Sequence, residues 1–160
     1  GFMVDGKPDG YWKSYYENGN LKSEGNRRNF LLDGEWKFYQ KDGSISQLIT
    51  YSEGKKNGKR ITYTPEYVLE ENFSDDTKEG MSYTYDIDNH LVSSVNFSDG
   101  VENGMKKEFA EDGRIIRITD YSKGFIISSE WINRLDGSGR KQGKWLAFHD
   151  NGNIATESTY

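Results

Sequence analysis

The segment Ser138-Gly139-Arg140-Lys141-Gln142-Gly143-Lys144-Trp145 comes nearest to known chemistry, because it nearly spells a phosphate-binding loop. The motif requires glycine where Ser138 stands, a hydroxyl where Trp145 stands, and a helix whose N-terminus faces the phosphate. It fails at both ends. His90 and His149 are the only histidines and fall beside turns far apart in the chain, so they offer no shared metal. Asp86-Ile87-Asp88-Asn89 alternates acids but lacks the glycine and distal glutamate of a calcium loop. The acid pairs Glu70-Glu71, Asp75-Asp76 and Glu111-Asp112 have the chemistry for glycoside hydrolysis, yet none is distinguished from ordinary solvated turns. With no cysteine, thiolate nucleophiles and disulfides are excluded. The expectation is no catalytic residue, no metal and no cofactor: a protein that is not an enzyme.

What must position any site here is a repeat. Turn-forming pairs ending in glycine recur at Asp9-Gly10, Asp33-Gly34, Asn57-Gly58, Glu79-Gly80, Asn103-Gly104 and Gln142-Gly143. Successive glycines lie 24, 24, 22, 24 and 39 residues apart. Five past each stands an aromatic: Tyr15, Tyr39, Tyr63, Tyr85, Phe109 and Phe148. Eleven past stand Leu21, Ile45, Leu91, Ile115 and Ile154, with Tyr67 taking the slot in the shorter third copy. Seventeen past stand Tyr51, Phe97, Tyr121 and Tyr160, with Phe73 in the third copy and Arg27 in the first. Between the first two columns lie turns such as Glu17-Asn18-Gly19-Asn20 and Lys41-Asp42-Gly43-Ser44. A type I turn closed by a left-handed glycine predicts Tyr15 opposite Leu21 and Tyr39 opposite Ile45. Asn89 replaces the glycine in the fourth copy, as its tolerance of positive φ allows.

The fold class expected is therefore all-β: tandem β-hairpin repeats forming one elongated, twisted antiparallel meander sheet, with the aromatic column buried between neighbouring units. Residues 1–9 read as an N-terminal segment or truncated repeat, and residues 10–160 as a single domain of six hairpins. An insertion at about residues 125–141 is expected to form an extended hairpin, its first half apolar and its second half a glycine-rich loop.

Composition fits this picture and narrows function. Only 33% of residues are hydrophobic and mean hydropathy is -0.92, so the 14% that are aromatic must supply much of the buried surface. A net charge of -5 opposes the counterion release that drives nucleic-acid binding, so no nucleic-acid partner is expected. No apolar run is long enough to span a membrane as a helix.

The strings Asp33-Gly34-Glu35-Trp36-Lys37-Phe38-Tyr39 followed by Asp42-Gly43, and Gln142-Gly143-Lys144-Trp145-Leu146-Ala147-Phe148 followed by Asn151-Gly152, resemble the MORN repeat in its short bacterial variant. The resemblance runs from Gly10 to Tyr160 and rests on six copies in phase. It implies a β-hairpin array used for protein or membrane association, in some bacterial relatives with an antitoxin-like role. It implies no catalytic residues. MORN arrays also accompany the kinase domain of some phosphatidylinositol-phosphate kinases, but this chain has no kinase domain: no glycine-rich loop, catalytic Asp-Asn pair or metal-binding Asp motif occurs. The absence of cysteine leaves the compartment open between the bacterial cytoplasm and an exported or periplasmic product whose leader was removed.

Binding, if it uses the sheet, needs exposed groups. Two past the repeat glycine stand Trp12, Trp36 and Trp145, and four past stands Phe38, so the face opposite the aromatic column is partly apolar too. These rings either pack against the insertion, the N-terminal segment or another copy, or form a surface for a partner protein. Lys59 and Arg60, with nearby basic residues, are the candidate contacts for anionic lipid; exposed rings are the candidates for glycan. The leading expectation is a non-catalytic binding or scaffold module for another protein, with lipid or glycan association as the alternative and self-association possible.

Overall fold

A computed structural model describes residues 1–160. It contains eighteen strands and no helix. In chain order they are β1 (Phe2–Val4), β2 (Lys7–Tyr15), β3 (Leu21–Arg28), β4 (Leu31–Tyr39), β5 (Ile45–Ser52), β6 (Lys55–Tyr63), β7 (Tyr67–Ser74), β8 (Thr77–Lys78), β9 (Gly80–Asp86), β10 (Leu91–Ser98), β11 (Val101–Glu102), β12 (Gly104–Phe109), β13 (Ile115–Ser122), β14 (Phe125–Trp131), β15 (Arg134–Leu135), β16 (Lys141–Gln142), β17 (Lys144–Phe148) and β18 (Ile154–Thr159). The first fourteen form one open antiparallel meander; β15–β16 and β17–β18 are separate two-stranded hairpins. At roughly 4.8 Å between neighbours, the meander is elongated.

The turns explain why the repeat has its composition. In five of the six hairpins a five-residue loop closes with two backbone bonds, as in Tyr16 N–H to Asn20 O (2.8 Å) and Gly19 N–H to Tyr16 O (2.9 Å). The fourth loop residue is left-handed, Gly19 at φ 85° and Asn89 at φ 67°, which glycine adopts without strain and asparagine tolerates. The bulge that follows sets Tyr15 opposite Leu21, Tyr39 opposite Ile45, Tyr85 opposite Leu91, Phe109 opposite Ile115 and Phe148 opposite Ile154. The pairing read from the columns is the pairing observed. The third copy differs: Thr64 and Tyr67 close a shorter turn without a bulge, and Val68, not Tyr67, lies opposite Tyr63.

Consecutive copies are joined by two-residue turns with both residues left-handed, such as Glu53-Gly54 and Asp99-Gly100, the twist-compatible geometry for hairpins. Each linker is latched to the strand that opens its own copy. Phe30, Gly54, Asp76, Gly100 and Gly124 donate their N–H groups to the carbonyls of Pro8, Leu32, Lys56, Lys78 and Glu102, two residues before each repeat glycine. The polar residue before that glycine has a use as well: Asp9, Glu79 and Asn103 side chains accept the N–H groups of Asn29, Asp99 and Lys123 in the same linkers.

A single-layer sheet buries little. Only 12 of 160 residues are buried, and the accessible surface is 10135 Å², against about 8,200 Å² for a compact protein of this mass. The two faces are unequal. Register places Trp12, Gly25, Trp36, Ile49, Arg60 and Glu71 in one row on adjacent strands; this is the tryptophan face, and Gly34 opposite Tyr51 and Gly58 opposite Phe73 put the third aromatic column there too. Trp36, Ile49, Phe73 and Phe97 are buried on it, whereas Tyr15 and Tyr63 of the first column are exposed on the other face. The expectation that the first column forms the buried seam is thus corrected. Long cations make the difference: Arg27 lies over Trp36 (5.4 Å), Lys56 and Arg60 over Phe73 (4.9 and 4.7 Å), and Lys78 over Phe97 (4.3 Å). Their stems and charges cover the rings in place of a second layer.

The insertion is likewise rearranged. Phe125–Trp131 pairs backward with Ile115–Ser122 and extends the main sheet, so only Arg134–Gln142 forms a local hairpin.

Candidate functional site: the tyrosine face and its turn rim

The residues singled out from sequence do not converge. Trp36 is 4% exposed; its ring lies flat over Gly25, where a Cβ would come within 2.5 Å of it, and its Nε1 donates to Asn26 O at 2.7 Å. Such a ring holds the fold and offers nothing to a ligand. Trp12 is half-buried against Gly1, with Nε1 donating to Asp9 O at 2.7 Å, the N-terminal packing that was one of the two alternatives. Phe38 packs beside Trp36 at 6.3 Å between ring centres. Trp145 sits on the last hairpin with Tyr160 edge-on (6.1 Å) and Lys141 above (4.5 Å), remote from the other three in the fold. Lys59 and Arg60 point to opposite faces, as neighbours on a strand must, and each is paired: Lys59 with Glu70 at 2.8 Å, Arg60 with Glu71 at 2.5 Å. They do not form a basic patch.

The accessible aromatic surface is on the other side. Its central row runs Lys13, Glu24, Lys37, Leu48, Ile61, Glu70, Tyr83 and Ser94 across eight strands. Beside it, toward the hairpin turns, runs the stripe of paired rings and aliphatics from Tyr15 and Leu21 to Phe109 and Ile115. The stripe's polar tips are tied into the row: Tyr39 Oη donates to Glu24 at 2.6 Å, and Lys13 approaches Glu24 at 3.5 Å. The Tyr39 bond holds the Glu24 carboxyl below its ordinary range. The same bond, with burial, pushes the phenol of Tyr39 up to about 12. Because the raised value belongs to the folded state, this contribution to stability is whole below pH 10 and is lost as pH rises toward 12. An absorbance titration should therefore contain a tyrosine ionising near pH 12, absent in Tyr39→Phe and moved downward in Glu24→Gln.

The rim of the stripe opens into grooves beside its first three turns. The first turn is braced on the second copy: Tyr16 Oη donates to Tyr39 O (2.7 Å), and the side chains of Asn18 and Asn20 donate to Lys41 O (3.0 and 2.7 Å). No equivalent bond joins the second turn to the shorter third. Between them opens a groove of about 840 Å³ lined by Tyr16, Gln40, Ile45, Tyr63, Thr64 and Pro65 among others, next to a second of about 560 Å³ at Tyr15, Tyr16 and Lys22. The lining is mixed, with the rings of Tyr16 and Tyr63 and the side chain of Ile45 set among polar groups such as Lys41, Asp42 and Ser44, a combination open to an extended peptide segment.

At the far end the same face is already occupied. The β17–β18 hairpin lies over it: Lys144 reaches Glu130 (2.9 Å), Phe148 lies against Lys107 (4.6 Å), and Ile132 and Leu146 are buried. Asn133 fastens the crossing. Its side chain donates to Ile115 O (2.9 Å) and Leu146 O (3.0 Å) and accepts the Leu146 N–H (2.7 Å), while Arg114 donates to its carbonyl. Sequence reasoning passed over Asn133 and Glu71, because an asparagine outside any turn motif and an acid in an acid pair look alike everywhere in the chain; Asn133 lies in the insertion, where the repeat phase is lost, which was the one available signal.

Asp86, Asp88 and His90 come together as expected of a turn, with Asp86 accepting the N–H groups of Asp88 and His90 and meeting His90 Nδ1 at 3.1 Å. The arrangement caps the turn, and those bonds lower the Asp86 carboxyl, led by the backbone N–H of His90.

Comparison with known proteins adds the family. The model described as a MORN repeat variant matches residues 8–29, 32–53 and 141–160, the three copies with tryptophan two past the glycine. No curated protein matches the chain. The copies between share the linker latches of the first two, and at three of its six hairpins the chain is similar to the MORN repeat variant.

Proposed function

We propose that this protein is a non-catalytic binding module that holds a segment of another protein against its tyrosine face, in the groove beside the third turn. MORN repeats are in general binding modules, and three stretches of the chain match such a repeat. The observation that carries the reading is that groove: it lies between the second turn and the shorter third, beside the stripe containing Tyr15, Tyr39 and Tyr63. Rigid aromatics of this kind give contact area at little entropic cost. A narrower form of the proposal is an antitoxin-like role, in which the segment held belongs to a toxic partner; its support is the resemblance to bacterial relatives. Pairing of Lys59 and Arg60 with Glu70 and Glu71 weighs against anionic lipid as the ligand.

Affinity capture from the source cell should retain one discrete polypeptide saturably. Ile45→Ala with Tyr63→Ala should weaken retention about tenfold or more, as loss of an interface hot spot does, with the circular dichroism spectrum unchanged. Retention indifferent to both substitutions, or binding only to vesicles or glycans in parallel assays, would overturn the reading.

A further inference from the structure

The main sheet ends in an open edge. β14 pairs with β13 alone, and none of the backbone groups of residues 125–131 bonds to anything beyond that ladder. All seven residues are exposed, Phe125 at 74%, Ile126 at 62%, Ile127 at 63% and Trp131 at 56%. An exposed edge with an apolar sequence and no proline is a template for another strand. Its only charge, Glu130, is held by Lys144.

We propose that β14 is a dimerisation strand: two copies pair their β14 strands antiparallel about a two-fold axis near Ser128, making one continuous sheet. A second copy is the occupant that fits for three reasons. Antiparallel pairing about a two-fold axis is isologous, so one edge serves both copies, with the bulge of β14 at Ile127 lying beside the axis. It sets Phe125 of one copy near Trp131 of the other and Glu130 near Ile126, so rings meet rings and the two acids never face each other. The opposite edge, β1, has three residues and cannot satisfy a seven-residue strand, so the contact closes as a dimer and does not propagate.

Sedimentation velocity on the full chain, from low to high micromolar, should give a dimer. Ile126→Glu with Ile127→Glu should weaken dimerisation about tenfold or more by setting an acid at position 126 across from Glu130 of the other copy, while leaving the monomer's spectrum and thermal transition intact, since both side chains are exposed. Met3→Lys on the other edge should change nothing. Hydrogen exchange of residues 125–131 should slow in the dimer and not in the double variant. A monomer at every concentration, a dimer undiminished in the double variant, or protection appearing around Tyr63 in place of β14 would each overturn the proposal. Failure here leaves the groove reading standing, because its variants lie at Ile45 and Tyr63.

Discussion

Glu71→Ala should lower the unfolding free energy by about 3–5 kcal/mol, the cost of breaking a buried ion pair from one side. Glu71 is fully buried, with Oε2 accepting from Arg60 (2.5 and 2.8 Å) and Oε1 meeting Lys78 at 2.5 Å. The two cations it fixes lie over Phe73 and Phe97, so the carboxylate anchors the lids of two copies at once. Burial alone would drive this carboxyl up; Lys78 and Arg60 together overcome that and leave it below its ordinary value. The sign of the pH dependence follows. A depressed folded-state value contributes stability that is fully present above the ordinary carboxylate value of 4.5 and is lost as pH falls through the lower folded value. Urea unfolding at neutral pH and at successive steps below pH 4.5 checks both parts. A variant as stable as the parent, or one that keeps the parent's acid sensitivity, would contradict the assignment.

Asn133→Ala should release the last hairpin while leaving the main sheet folded. The change deletes three side-chain hydrogen bonds and strands the buried N–H and C=O of Leu146 and the half-buried carbonyl of Ile115, at about 1–3 kcal/mol for each buried group left unsatisfied. Asn133 also has φ 51°, which adds roughly 1 kcal/mol against alanine. Asn133→Gly relieves the second cost and not the first, so it should lie between the parent and alanine. Proteolysis is the direct measurement: cleavage confined to residues 134–160 is expected, whereas cleavage throughout the sheet would mean that Asn133 supports the whole fold. Freed of the hairpin, the tyrosine face would be bare as far as Phe109.

How much of this was legible beforehand depends on range. Tyr15 opposite Leu21 follows from counting, because a five-residue loop with a left-handed fourth position fixes register within a dozen residues. Which face would be buried was not legible, because both carry aromatics in sequence and the choice was made by Arg27, Lys56, Arg60 and Lys78, side chains that composition assigns to solvent. Trp36 looked like a binding residue for the same reason: its partner Gly25 is eleven positions away and carries no signal of its own.

The chain alone determined the unit: a hairpin, its turn chemistry, its pairing and its repetition, all set by local backbone preference and period-two alternation. Tertiary structure decided what the units do together. It turned the tryptophans inward under cationic lids, opened a groove where one turn is short, made β14 the edge of the sheet and folded the last hairpin back over the tyrosine face. Those outcomes depend on contacts between copies, where the energy comes from side chains brought together by the fold and not from their order in the chain.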